Sequence, residues 1–96
     1  MIERRVLRFH GRVQGVGFRY AVERLAIAFP GIAGEVFNEA DHVTLDVEGE
    51  AGELAAFINL VYMRPPRSAR IESTDSATGP VTGRRGFHVG PTQECP

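Results

Sequence analysis

The sequence predicts an α+β fold in which two helices cover one face of an antiparallel sheet. Apolar and polar residues alternate strictly from residue 42 to residue 48, with Val43, Leu45 and Val47 apolar, as is typical of a half-buried strand. Two further stretches, after residues 18 and 52, carry apolar residues at helical spacing. Their order along the chain is strand, helix, strand, strand, helix, strand, and such amphipathic helices need a sheet to lie on.

The first strand is predicted over residues 4–13, where apolar side chains alternate with basic ones. A helix is predicted over residues 18–29 from an apolar stripe, and Pro30-Gly31 ends it. The apolar residues are Leu7, Phe9 and Val13 in the strand and Phe18, Val22, Leu25 and Phe29 in the helix. Tyr20 lies beside this stripe, where an aromatic residue is more often a packing residue than a substrate contact.

A β-hairpin follows, with a second strand that ends at Asn38, a turn over Glu39-Ala40-Asp41 and the alternating strand that begins at His42. A second helix is predicted over residues 52–63, and Pro65-Pro66 stops it. Its apolar stripe consists of Leu54, Phe57, Ile58 and Val61.

In the last third of the chain the alternation of apolar and polar residues is weak, so its secondary structure is less clearly predicted. Residues 69–77 are predicted as an edge strand, 79–86 as a loop, 87–89 as a short strand and 91–96 as a mobile tail. The whole order is the ferredoxin-like βαββαβ arrangement, and residues 1–96 are expected to form a single domain. The sheet face without helices is expected to be exposed, with polar residues Arg8, His10, Thr44 and Asp46.

Residues 11–19 form the stretch with the clearest chemical meaning. Gly15 and Gly17 stand between the first strand and the first helix, and Arg19 follows on the first helical turn. Glycines permit a positive φ, so successive amides can point into one concavity that faces a helix N-terminus. A guanidinium there matches two phosphate oxygens. These residues alone are equally compatible with a tight turn and an ordinary surface arginine.

Composition limits the classes of function. The chain has 96 residues with a net charge of −1, so no overall field attracts nucleic acid or an acidic membrane. All 11 basic residues are arginine, which excludes Schiff-base chemistry and a Walker-type phosphate loop. Cys95 is the one cysteine, and it suits a reducing compartment. No apolar run is long enough for a signal peptide or a membrane span, so we expect a cytoplasmic protein.

The nonamer Gly-Arg-Val-Gln-Gly-Val-Gly-Phe-Arg at residues 11–19 closely resembles the signature of the acylphosphatase family, whose members hydrolyse acyl phosphates. The resemblance extends more loosely from Val6 to Val89. It implies that Arg19 binds the phosphate and that Asn38 orients the attacking water. Without the resemblance, Asn38 is interpreted as a turn asparagine whose side chain forms a hydrogen bond with its own backbone.

The resemblance also implies the rest of the site. The backbone amides of the loop, from Gln14 to Arg19, would hold the phosphoryl oxygens: Gln14, Gly15, Val16, Gly17, Phe18 and Arg19. No metal or cofactor is expected, and His10, His42 and His88 are scattered in sequence without metal-ligand spacing. The expected partner is a small-molecule acyl phosphate, with no nucleic acid or membrane, and we expect a monomer.

The stretch Glu35-Val36-Phe37-Asn38, with Asp41 and then Val43, follows the second motif of the family only loosely. Glu35 stands where the family usually has an aromatic residue, and His42 stands where it usually has a glycine. The family also usually has a basic residue near the position of Phe37. A glycine would permit the positive φ that tight hairpins often need. The hairpin geometry is therefore the feature that the sequence leaves most open.

Three alternatives remain at this stage. A binding module that holds an anion without hydrolysis would fit the changes at Glu35, Phe37 and His42. Carbamoyl phosphate is an alternative substrate, since similar domains begin the longer hydrogenase-maturation proteins. RNA-recognition domains share the element order but stack bases on exposed aromatics, whereas Phe9 is predicted on the buried face.

Overall fold

The computed structural model describes residues 1–90, which form a five-stranded sheet with two helices packed on one face. The strand order across the sheet is β4-β1-β3-β2-β5. The elements are β1 (Ile2–Arg12), α1 (Phe18–Ala26), β2 (Ala33–Glu39), β3 (His42–Glu50), α2 (Ala51–Met63), β4 (Arg70–Gly79) and β5 (Phe87–Val89). The predicted ferredoxin-like order is confirmed, and the predicted tail 91–96 lies outside the described residues.

The prediction of a purely antiparallel sheet is wrong for its last strand. β5 pairs in parallel with β2, with Val89 opposite Val36, while every other pair is antiparallel. The chain leaves β4 at one edge of the sheet and crosses to the other edge, where it enters beside β2 and runs in the same direction. A strand of three residues carries no sequence signal for its direction.

The helices differ from the prediction only at their ends. α1 ends at Ala26 instead of residue 29, because the amides of Ile27, Ala28 and Phe29 donate to carbonyls three residues back and tighten the last turn. α2 begins one residue earlier than predicted. The side chain of Glu50 caps it by accepting from the amides of Gly52 at 2.7 Å and Glu53 at 3.2 Å.

The core lies between the helices and the sheet face that points toward them. The predicted stripes supply most of it, because Phe18 and Val22 on α1 are buried and Leu25 and Phe29 pack against them. On the sheet the buried side chains include Leu7 and Phe9 of β1. All four predicted stripe residues of α2 are buried, namely Leu54, Phe57, Ile58 and Val61.

The opposite sheet face is not fully exposed, contrary to the prediction. Thr44 and Glu48 are buried there. Residues 80–86 supply part of the cover: the Glu48 carboxylate accepts from the Thr82 amide, at 3.0 Å, and from the Gly83 amide, at 2.8 Å. Arg84 reaches the same carboxylate at 3.3 Å. The segment that connects β4 to β5 is thus anchored on the sheet by a buried acid.

Candidate active site

The loop between β1 and α1 has the backbone conformation that an anion cradle needs. Gly15 has a φ of 72° and Gly17 a φ of 82°, and Gly17 is the residue that precedes the first turn of α1. A side chain at either position would be strained. The first amides of a helix have no partner within the helix, so a helix N-terminus attracts an anion. Within residues 1–90, the N-cap at Gly17 makes no side-chain cap hydrogen bond.

Arg19 lies on the first turn of α1 and is held at the end of the sheet. Its Nη1 donates to the carbonyl of Gly90 at 2.8 Å, and the Gly90 amide donates to the carbonyl of Val36 at 2.8 Å. The guanidinium also lies over the ring of Tyr20, 5.6 Å from its centroid. These contacts bring the arginine to the stretch of β2 that precedes Asn38.

Asn38 is on β2 and is directed toward the helices rather than into solvent. It is 5% exposed and lies on the same face as Val36, with Val43 opposite it on β3. Its Oδ1 has no hydrogen-bond partner among residues 1–90. A buried acceptor without a donor costs about 1–3 kcal/mol, so this oxygen is suited to a water or a ligand.

Gln14 connects the loop to the hairpin that carries Asn38. Its Nε2 donates to the carbonyl of Ala40 at 3.0 Å and to that of His42 at 2.9 Å. Sequence reasoning considered only the backbone amide of Gln14 and missed this side-chain role. No local pattern signals it, because the partners are more than 25 residues away in the chain.

The residue with a positive φ in the hairpin turn is Ala40, not the residue at position 42 as expected. Glu39 pairs with His42, so only Ala40 and Asp41 form the turn. The positive φ falls on Ala40, at 51°, and His42 is an ordinary strand residue. The concern that histidine replaces a needed glycine therefore does not apply to this turn.

A groove of about 430 Å³ adjoins the loop on the side of α1. Tyr20 lines it and is 57% exposed, so this ring is not part of the core that the helix stripe forms. The groove walls are mainly apolar, with two arginines at the rim. The lining residues are Val16, Gly17, Tyr20, Ala21, Arg24, Leu25, Arg64 and Pro66.

The histidines are not all scattered, contrary to the sequence reading. The rings of His10 and His42 face each other on adjacent strands with centroids 5.0 Å apart. Together with Asp41 they form a group whose possible ligand atoms lie within 4.8 Å of one another. His88, on β5, is outside this group.

Comparison with known proteins identifies the family. The sequence model of the family described as Acylphosphatase matches residues 5–89, which is most of the chain. The chain belongs to the acylphosphatase family. The resemblance that the nonamer carries is confirmed, and so is the ferredoxin-like fold predicted from the order of the elements.

Proteins that this chain matches over most of their length are also named acylphosphatase. An acylphosphatase of a Nocardioides species is 45% identical over 80 residues, which is 82% of this chain and 79% of that protein. The acylphosphatase of Thermus thermophilus is 36% identical over 80 residues, 82% of this chain and 89% of that protein. The chain is accordingly a hydrolase of acyl phosphates.

Solved structures agree in fold. The crystal structure of an acylphosphatase from Bacillus subtilis superimposes with a TM-score of 0.81 at 31% identity, over 95% of this chain and all of that one. Full-length HypF, in its phosphate- and nucleotide-bound form, gives a TM-score of 0.89 at 29% identity. This chain spans 12% of HypF, so the likeness concerns one part of that larger protein. In residues 1–90, neither helix has the length and apolar character that a membrane span requires.

Proposed function

We propose that the loop amides of residues 14–19 and the Arg19 guanidinium bind the phosphoryl group of an acyl phosphate, and that Asn38 orients the water that attacks it. The observation that carries the proposal is the buried Asn38 Oδ1, which has no hydrogen-bond partner among residues 1–90. That oxygen belongs to the hairpin that Gln14 ties to the loop. An acceptor so placed is suited to take a hydrogen bond from water.

The phosphoryl oxygens would be held by charge and by preorganised donors. Amides curled by Gly15 and Gly17 at the start of α1 add the helix dipole to their own hydrogen bonds. Gly90 orients the Arg19 guanidinium through Nη1. Donors fixed before the reaction stabilise the charge that develops on the equatorial oxygens in the transition state without reorganisation.

The chemical step needs little further help. Water, held by Asn38, attacks phosphorus in line with the bond to the acyl oxygen. The P–O bond to the acyl group breaks, its electron pair stays on the departing carboxylate, and inorganic phosphate forms. The proton of the water passes to a phosphate oxygen. A carboxylate is a good leaving group, so no general acid is needed.

We further propose that the acyl group extends along the groove beside α1. The groove adjoins the loop at Val16 and Gly17, and the exposed ring of Tyr20 both lines the groove and contacts the Arg19 guanidinium. Such an apolar wall would contact a bulky acyl group and leave a small one largely untouched. The groove would therefore affect the choice among acyl phosphates more than the chemical step.

The proposal for Arg19 is tested by hydrolysis of benzoyl phosphate with a chelator present. Arg19→Lys should lower kcat/KM by about 10²–10³-fold, since an ammonium cannot replace a planar two-point contact. Arg85→Lys, at an exposed position in the segment that connects β4 to β5, should keep the wild-type rate. Equal activity of Arg19→Lys and wild type would refute the phosphate-binding role.

We also propose that residues 1–96 act as one monomeric domain in the cytoplasm. A single core cluster includes residues from Leu7 to Val61, with Val89 packed against it, which supports one folding unit. The single cysteine is compatible with a reducing compartment. Sedimentation equilibrium should give the mass of 10.5 kDa, and a mass of twice that value would contradict the monomer.

A further inference from the structure

The sheet face opposite the helices carries two adjacent imidazoles flanked by carboxylates, at the end nearest the β2–β3 turn. On β1, His10 Nε2 lies 3.1 Å from Asp75 Oδ2 of β4. On β3, His42 Nε2 lies 3.3 Å from Glu39 Oε1 of β2. The two rings face each other between these acids. Four strands thus contribute to one cluster.

Each imidazole has one nitrogen next to a carboxylate of a neighbouring strand. This is the arrangement in which an acid orients a metal-binding histidine and leaves the other nitrogen as the ligand. For His42 the other nitrogen is Nδ1, which lies 3.3 Å from Asp41 Oδ1. Two ligand atoms of a tetrahedral zinc site, each about 2.1 Å from the metal, are about 3.4 Å apart.

We propose that His10, His42 and Asp41 form a binding site for a divalent transition-metal ion of the Zn²⁺ class, with Glu39 and Asp75 as the carboxylates that orient the two imidazoles. One possible ligand atom from each of these three residues already lies within 4.8 Å of those of the other two. Asp41 is a turn residue whose side chain is 91% exposed, so it can close the remaining gap by rotation. This site goes beyond the proposed hydrolysis, because it lies on the other sheet face and takes no part in it.

Charge and burial both favour a cation at this place. Three carboxylates, those of Glu39, Asp41 and Asp75, surround the two imidazoles. Arg8 is a positive side chain close enough to act on the cluster, since its charge, after the hydrogen bond from Thr44, helps to hold the pKa of Glu39 below its usual value. The buried His42 Nε2 has no well-aligned hydrogen bond among residues 1–90, despite its short distance to Glu39. Fixing the His42 ring on a metal would allow this nitrogen to form that bond.

The test uses Zn²⁺ alone with untagged protein in which Cys95→Ser removes the one thiol. Isothermal titration should give one Zn²⁺ per chain, and Co²⁺ should give the visible absorption of a tetrahedral site. His10→Gln, His42→Gln and Asp41→Asn should each weaken binding at least about tenfold, whereas His88→Gln should bind as before. His10 is 34% exposed in its side chain, so its replacement is expected to leave the fold intact even if that of His42 does not.

Failure of this inference is separable from failure of the proposed hydrolysis. No Zn²⁺ binding, or equal affinity in wild type, His10→Gln and Asp41→Asn, would overturn the metal site. Hydrolysis of benzoyl phosphate in the presence of chelator is measured on the same samples and does not depend on that result. Added Zn²⁺ should also raise the melting temperature of the wild-type protein but not that of His10→Gln, because only the folded wild type would bind the ion.

Discussion

Gln14 and His42 are joined by a hydrogen bond of 2.9 Å from the Gln14 side-chain amide to the His42 carbonyl. The same Nε2 donates to Ala40 at 3.0 Å, so one amide holds both sides of the hairpin turn. The loop between β1 and α1 and the hairpin that carries Asn38 are separate in sequence and contact each other through this link. It therefore sets the distance between the phosphate donors and the residue proposed to hold the water.

The first prediction concerns this link. Gln14→Ala should lower kcat by about 10–100-fold, because small misplacements of a catalytic group are costly to rate. Phosphate binding, measured by titration of backbone amide signals, should change much less, since the loop amides remain. Gln14→Glu, which keeps the length but loses the donor, should behave like Gln14→Ala. A Gln14→Ala protein with the kcat of wild type would show that the link has no effect on positioning.

The second prediction concerns the groove beside α1. Tyr20→Ala should lower kcat/KM for benzoyl phosphate about two- to tenfold, the usual range for the loss of one aromatic contact. The change should appear mainly in KM. Acetyl phosphate, which is too small to reach the ring, should be hydrolysed as before, and Tyr20→Phe should retain both activities. Equal losses on the two substrates would place the effect at the phosphate site instead.

The third prediction concerns acid stability. Asp46 accepts from Arg4 Nε at 2.9 Å and Nη2 at 2.8 Å, and from Arg84 at 3.2 Å. The hydrogen bonds from Arg4, and then the charges of Arg84 and Arg4, hold the pKa of Asp46 below its usual value. A lowered pKa in the folded state means that the unfolded state binds more protons in acid. The resulting stability is complete above about pH 5 and is lost as pH falls through the lowered pKa.

Asp46→Asn should therefore lower the free energy of unfolding at pH 7 by about 1.5–3 kcal/mol, the range for hydrogen bonds to a charged group. It should also flatten the decline of stability below pH 5. Urea unfolding at a series of pH values measures both effects. Glu72→Gln, at an exposed position on β4, is the control and should leave the pH dependence as it is in wild type. A pH dependence of Asp46→Asn identical to that of wild type would contradict the argument.

Local patterns predicted the parts of the fold that depend on local physics. The alternation of Val43, Leu45 and Val47 specified β3, and Gly15 with Gly17 specified a loop that needs positive φ. These signals are contained in a few consecutive residues. The helix stripes were equally clear, and all of them pack on the sheet as expected.

The features that sequence reasoning missed depend on contacts between distant segments. Thr44 is buried on a sheet face that residues 80–86 partly cover, and the direction of β5 follows from where the chain enters the sheet. His10 and His42 meet because of the register between β1 and β3. The side chain of Gln14 acts on a turn that its own neighbours do not reveal. Chain register and crossover connections determine all of these, and neither is encoded in local periodicity.

The most direct test of the catalytic proposal is single-turnover hydrolysis of benzoyl phosphate by Asn38→Ala, together with its affinity for inorganic phosphate. Removal of the amide should lower the rate about 10²–10³-fold and leave the dissociation constant for phosphate nearly unchanged, because the loop and Arg19 remain. Asn59→Ala, which removes an exposed asparagine from α2, should match wild type in both measurements. An Asn38→Ala protein that turns over at the wild-type rate would contradict the account.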